Sequence, residues 1–170
     1  MLEIYPIGKA QFPTEFGPDF VRESIETIAQ LPSELKSAVD GCRDLDQHIR
    51  EGTWSIRALV HHIADSHMNA YIRTKLALTE DAPTVRPYDE VAWSRLADSR
   101  MDVGVALDLV SALHLRWVEL VSSLGDAEFQ RPWQMPGGEP RALWRLPVLY
   151  AWHGRHHVAQ IHQAREHFKV

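Results

Sequence analysis

The chain has 170 residues and a mass of 19.4 kDa, the size of one domain able to build its own core, so a single domain over residues 1–170 is expected. A net charge of -5 argues against nucleic acid as the main partner, because phosphate binding needs a basic face. No apolar stretch approaches the roughly 20 residues that span a bilayer, and one cysteine, Cys42, excludes an internal disulfide and fits a reducing compartment.

The opening "MLEIYPIGKAQF" lacks a basic start followed by an apolar run, so no secretory signal is expected and a cytoplasmic location is. Up to about Pro18, the residues Pro6, Gly8, Pro13 and Gly17 break any periodic pattern. From Asp19 to Val39, Phe20, Ile25, Ile28, Leu31, Leu35 and Val39 recur at helical spacing, with a kink or break expected at Pro32. "EGTWSIRALVHHIADSHMNAYIRTKLALTE" carries the strongest helical pattern, opening near Thr53 as a cap, with Ile56, Leu59, Val60, Ile63 and Ala70 on its apolar stripe. A proline-bearing loop, "DAPTVRPYDE", precedes a short helix over "DEVAWSRLAD". "VGVALDLVSALHLRWVELVSSL" predicts a third long helix ended by Gly125. The Pro136-Gly137-Gly138 turn predicts a small hairpin, and a last helix runs from near Leu143 to about His167 with Pro147 in its opening turn. Four long helices predict an all-α four-helix bundle.

Ten histidines are the one compositional anomaly, and their spacing decides what they mean. His153 and His157, in "HGRHH", lie four apart and project from one helix face, a recurring way to offer two ligands to one ion. His156 points elsewhere on that helix. The pair alone also fits a solvated helix face. "HHIADSH" supplies the third candidate. His62, Ser66, Asn69 and Arg73 form a polar strip beside the apolar stripe, and such a strip is costly in a bundle unless it lines a wet cavity or an ion. His62 is therefore the expected third ligand, while His61 and His67 are expected to face solvent or a partner. Asp65 is a candidate to orient His62 or to act as a base, with a plain surface carboxylate as the alternative. Asn69 and Arg73 are candidates to hold a substrate carboxylate, against a buried structural pair with an acidic residue. Trp54 and Trp152 each lie near a proposed ligand and are candidate cavity walls. Three imidazoles suit zinc, nickel or a similar divalent ion and leave positions open, as in a catalytic site. No HExxH occurs, so the usual glutamate base of a metalloprotease is absent.

"YPIG", "VHHIADSHMNAYIR", "RPYDEVAWSRLADS", "LHLRW" and "WHGRHHVAQI" occur in the order found in one family, and over nearly its full length the chain resembles the DinB-like superfamily, in particular its YfiT group. That resemblance implies a four-helix bundle with a metal at one end, ligated through His62, His153 and His157. It also implies a cytoplasmic homodimer with one zinc or nickel ion per subunit. The group carries a hydrolase label. Related members use a low-molecular-weight thiol such as bacillithiol, transferring it to an electrophile, so a thiol cosubstrate and a small-molecule electrophile are the expected partners. Two positions depart from the pattern. Gly154 stands where many relatives have an acidic residue, and Arg155 where the compared group has a histidine, which leaves the base unassigned and makes Arg155 a candidate contact for an anionic substrate group. The expected function is a metal-dependent enzyme, hydrolase or thiol S-transferase. A metal-stabilised binding or stress-response module without turnover is the alternative, and a bundle with incidental histidines stands behind both.

Overall fold

The computed structural model describes residues 2–50 and 52–170. After an irregular N-terminal segment, helix α1 spans Pro18–Val39, with Pro18 in the first turn where its missing N–H leaves nothing unpaired. Of the kink or break expected at Pro32, the break does not occur, and α1 continues through it. Proline cannot donate to the carbonyl four residues back, that of Ile28. Another helix supplies the missing donor: Nδ1–H of His114 donates to the Ile28 oxygen at 2.7 Å.

Helix α2 spans Ile56–Thr79, and its cap is Ser55, whose hydroxyl oxygen accepts from the Ala58 N–H at 3.2 Å. Thr53, expected in that role, sits in the preceding loop with its hydroxyl donating to the Arg50 carbonyl at 2.6 Å. The loop is closed by the Ile49 N–H donating to the Trp54 carbonyl at 3.0 Å, which holds the chain out of helix until Ser55. Short helix α3, Glu90–Trp93, is capped by Asp89, and a single 3-10 turn covers Asp98–Arg100. Helix α4, Val103–Ser122, is capped by Asp102, whose carboxylate accepts from the Gly104 N–H at 2.8 Å. Gly125 does not end α4 as expected. Its φ of -93 is an ordinary one, and it opens helix α5, Asp126–Phe129, its N–H held by a Glu128 carboxylate oxygen at 2.8 Å. The expected hairpin is present as β1, Pro132–Trp133, and β2, Arg141–Ala142, antiparallel with Pro132 opposite Ala142. Helix α6, Arg145–Phe168, carries Pro147 in its first turn, as expected.

The four long helices form the expected bundle. α1 and α2 each pack against both α4 and α6, which sets α1 across the bundle from α2 and α4 across from α6. The α1–α6 approach is close because of Gly154: a Cβ there would lie 2.4 Å from a Leu31 methyl. Two apolar clusters fill the interior. One gathers Leu35, Ile56, Leu59, Ile63, Val110 and Ile161, and the other Ile28, Trp117, Val121, Leu143, Leu146 and Tyr150. Along α2, α4 and α6 the change from one cluster to the other falls at His67, His114 and His153. A histidine layer thus divides the core. Among the described residues no helix is long and apolar enough to cross a membrane.

Candidate metal centre

α2 contributes His62 from its second turn, and α6 contributes His153 and His157 from mid-length, so the site is set inward from the end of the bundle. The i, i+4 spacing stacks His153 and His157 on one face of α6, opposite the polar strip of α2. Nε2 of His153 lies 3.3 Å from Nε2 of His62 and 3.2 Å from Nε2 of His157. One ligand atom from each ring falls within 4.8 Å of the others. Tetrahedral zinc with nitrogen ligands at about 2.0–2.1 Å places those nitrogens about 3.3 Å apart.

The protonation state agrees with ligation. Burial pushes His62 down to about 4 and His157 down to about 3, and it holds His153 well below its ordinary value with the neighbouring histidines adding to the effect. All three rings are therefore neutral near pH 7, the form that binds a metal. His157 is also locked in orientation. Its Nδ1–H donates to the Gln160 side-chain oxygen at 2.9 Å, and the Gln160 amide is itself fixed by donating to the Ile4 carbonyl at 3.0 Å. This leaves the Nε2 lone pair of His157 aimed at the shared centre. His62 is held by Trp54, whose ring centroid lies 4.3 Å from its own. With Nε2 bare on each ring, lone pairs this close would repel one another unless a cation sat among them, so the residues fit a divalent ion held by three protein ligands.

The other candidates fall at varying distances from this point. Asp65 is half-buried, its carboxyl raised by burial and then by Asp98, and among the described residues it makes no hydrogen bond to His62. Asn69 turns back on its own helix, donating to the Asp65 carbonyl at 2.9 Å. Arg73 is buried and donates to the Tyr150 hydroxyl at 3.4 Å and to the Arg86 carbonyl at 3.2 Å, tying α2 to α6 and to the "RPYDE" loop. Neither of those partners is acidic. Arg155 is exposed and lines a groove with Ser33, Ser37 and Val158 between α1 and α6, so the structure does not bring it to the three histidines. Gly154 faces Leu31 of α1, not the metal ligands, which makes its small size a packing requirement.

His61 and His67 do not face solvent. His61 is buried with Nε2–H donating to the Met101 carbonyl at 3.2 Å, and His67 lies fully inside the bundle. The helical wheel of α2 pointed them outward because the 90–101 segment and α4 also cover this helix, and neither is visible in its own periodicity. His156 is buried against Trp152, the rings stacked at 4.7 Å and 9°. Trp152 serves that ring and the N-terminal segment, donating to the Gly8 carbonyl at 3.1 Å, whereas Trp54 does wall the site. A cavity of about 570 Å³ opens beside the centre, lined by Trp54, His157, Gln160, Arg50, Ser94 and Arg95. Gln160 was readable in principle, lying three residues after a ligand. Arg50 and Arg95 carry no such signal, since folding alone brings their loops together.

Fold and site together define a helical-bundle protein with a cluster of three histidines able to hold a metal ion. The family model of the DinB superfamily matches residues 27–161, and the chain belongs to that superfamily. It is 42% identical over 163 residues to a "putative metal-dependent hydrolase" of Oceanobacillus iheyensis, covering 95% of each chain. It is 43% identical over 167 residues to a protein of the same name from Geobacillus thermodenitrificans, covering 95% of this chain and 93% of that one. Among solved structures, YfiT from Bacillus subtilis, described as a probable metal-dependent hydrolase with an unusual four-helix bundle topology, superposes with a TM-score of 0.93 at 41% identity over 97% of both chains.

Proposed function

We propose that the chain is a metal-dependent enzyme whose His62, His153 and His157 hold one divalent ion, zinc or nickel, to activate a thiol or water against a small electrophile. The observation that carries this reading is the convergence of three neutral imidazoles beside an open cavity, His153 Nε2 lying 3.3 Å from His62 Nε2 and 3.2 Å from His157 Nε2. Three ligands leave coordination positions free, and a divalent ion there supplies Lewis acidity and makes a thiol or water more acidic. The protein's own part is to keep the imidazoles bare, to wall the site with Trp54 and to admit a ligand past His157. Arg50 and Arg95 on the cavity wall favour a thiol or electrophile that carries an anionic group, the role first sought in Arg155. Low-molecular-weight thiols bearing carboxylates, bacillithiol among them, meet that description. A homodimer with one ion per subunit belongs to the same reading, and sedimentation analysis tests it.

The experiment is an assay of the metal-loaded protein with a chromogenic electrophile, with and without bacillithiol. Metal-dependent conjugate formation supports thiol transfer. Metal-dependent hydrolysis without thiol supports the hydrolase. Neither product, with metal bound, overturns the enzyme in favour of a binding module.

A further inference from the structure

His67 and His114 take no part in the centre described above, yet both are buried in the bundle. They form a continuous series of contacts. His114 Nδ1 is 2.7 Å from the Ile28 carbonyl oxygen, His114 Nε2 is 2.9 Å from His67 Nδ1, and His67 Nε2 is 3.2 Å from His153 Nδ1. The far side of the His153 ring is Nε2, which faces His62 and His157.

Proton counting gives this series one direction. A backbone carbonyl only accepts, so the proton of the first contact lies on His114 Nδ1. A neutral His114 then has a bare Nε2 and accepts from His67 Nδ1–H. By the same step His67 Nε2 is bare and accepts from His153 Nδ1–H. A second proton on any of these rings would place a cation in the core, where the rings packed around His67 are His114, His153, Trp117 and Tyr150, none of them an anion.

We propose that His67 and His114 are positioning residues that hold His153 in its Nδ1–H tautomer and so present its Nε2 lone pair to the ion. The direction is set by the Ile28 carbonyl, which is free because Pro32 has no N–H to offer it. Pro32 thereby acts at a distance: a gap in the hydrogen bonding of α1 fixes the tautomer of a ligand on α6, through one ring from α4 and one from α2. The inference rests on the three-histidine metal reading only in its last step, and the test separates the two.

The metal-free protein, labelled with 15N in its histidines, is read by long-range 1H–15N correlation near neutral pH. His67, His114 and His153 are each expected to carry the proton on Nδ1 and to show Nε2 unprotonated. A proton on Nε2 of any of the three overturns the proposal, whatever the protein does with metal. Zinc affinity is then measured by competition with a chromophoric chelator for the wild type, His114→Phe and His114→Gln. Loss of the carbonyl-anchored donor in His114→Phe is expected to lower affinity about 10–100-fold, the usual effect of removing a ligand's hydrogen-bonding partners. His114→Gln, which can donate to Ile28 and accept from His67, is expected to recover most of it. Wild-type affinity in both variants overturns the proposal. If His114→Phe does not fold, the wild-type tautomers decide. Tautomers as expected with no zinc bound by the wild type would sink the metal reading and leave the directed chain of rings standing.

Discussion

In the proposed site a single amide decides how His157 meets the metal. The Gln160 side-chain oxygen accepts from His157 Nδ1–H and its amide donates in turn to the Ile4 carbonyl, so one side chain couples the N-terminal segment to the centre. Gln160→Leu keeps the volume and removes the acceptor. Zinc affinity is expected to fall about tenfold or more in a chelator competition, with the fold intact by circular dichroism. Unchanged affinity would show that His157 needs no such brace. Gly154 is the second decisive position, because an added methyl would meet Leu31 at 2.4 Å in a packed helix contact. Gly154→Ala is expected to destabilise the protein by about 1–3 kcal/mol, the usual cost of overpacking, in spite of alanine's better helix propensity. Urea denaturation reads this directly, and a stabilised variant would show that Leu31 turns aside freely. The grouping of His62, His153 and His157 was legible in the sequence because the i, i+4 spacing of one helix and the polar strip of the other are each local properties. His67 was not, because its burial depends on α4 and on the 90–101 segment, which α2 meets only in the folded bundle.

The helices were legible for the same reason, and their irregularities were not. Pro32 is a helix breaker by its own chemistry, and what occupies the Ile28 carbonyl it leaves free is a histidine 86 residues beyond Ile28 in sequence. The start of α2 was misplaced by two residues, since Thr53 and Ser55 are equally good caps until the loop hydrogen bond at Trp54 chooses between them. Ser55→Ala is expected to cost about 1 kcal/mol in urea denaturation, as loss of a working cap does, and Thr53→Ala distinctly less. The reverse order would place the helix start where the periodicity alone suggested. Gly125 was read as a terminator, but a glycine followed three residues later by glutamate opens a helix equally well.

The molecule as a whole buries neutral histidines at and beside the boundary between its two apolar clusters, and this shapes its response to acid. Burial holds His62 and His114 at about 4 and His157 at about 3, below the ordinary 6.5 of the unfolded chain. As pH falls below 6.5 the unfolded state takes up protons that the native state refuses. Stability is therefore full above that value and is lost progressively toward 4 and 3, at about 1.4 kcal/mol per pH unit for each such histidine. Urea midpoints of the metal-free protein are expected to fall steeply from pH 6 to pH 4.5, and a flat profile there would contradict a neutral histidine layer. The bundle architecture was readable from four amphipathic patterns, whereas the pairing of α1 with both α4 and α6 was not, because periodicity says which face is buried but not against which helix. Membership of the DinB superfamily and the likeness to YfiT agree with that architecture and with a metal-dependent family. The central claim is that three imidazoles from two helices hold one ion. Its most direct test is the metal content, by mass spectrometry of the element, of purified protein dialysed against limiting zinc. One ion per chain in the wild type, and near none in the His153→Ala, His157→Ala double variant, is the expected result, while equal metal in both would contradict it.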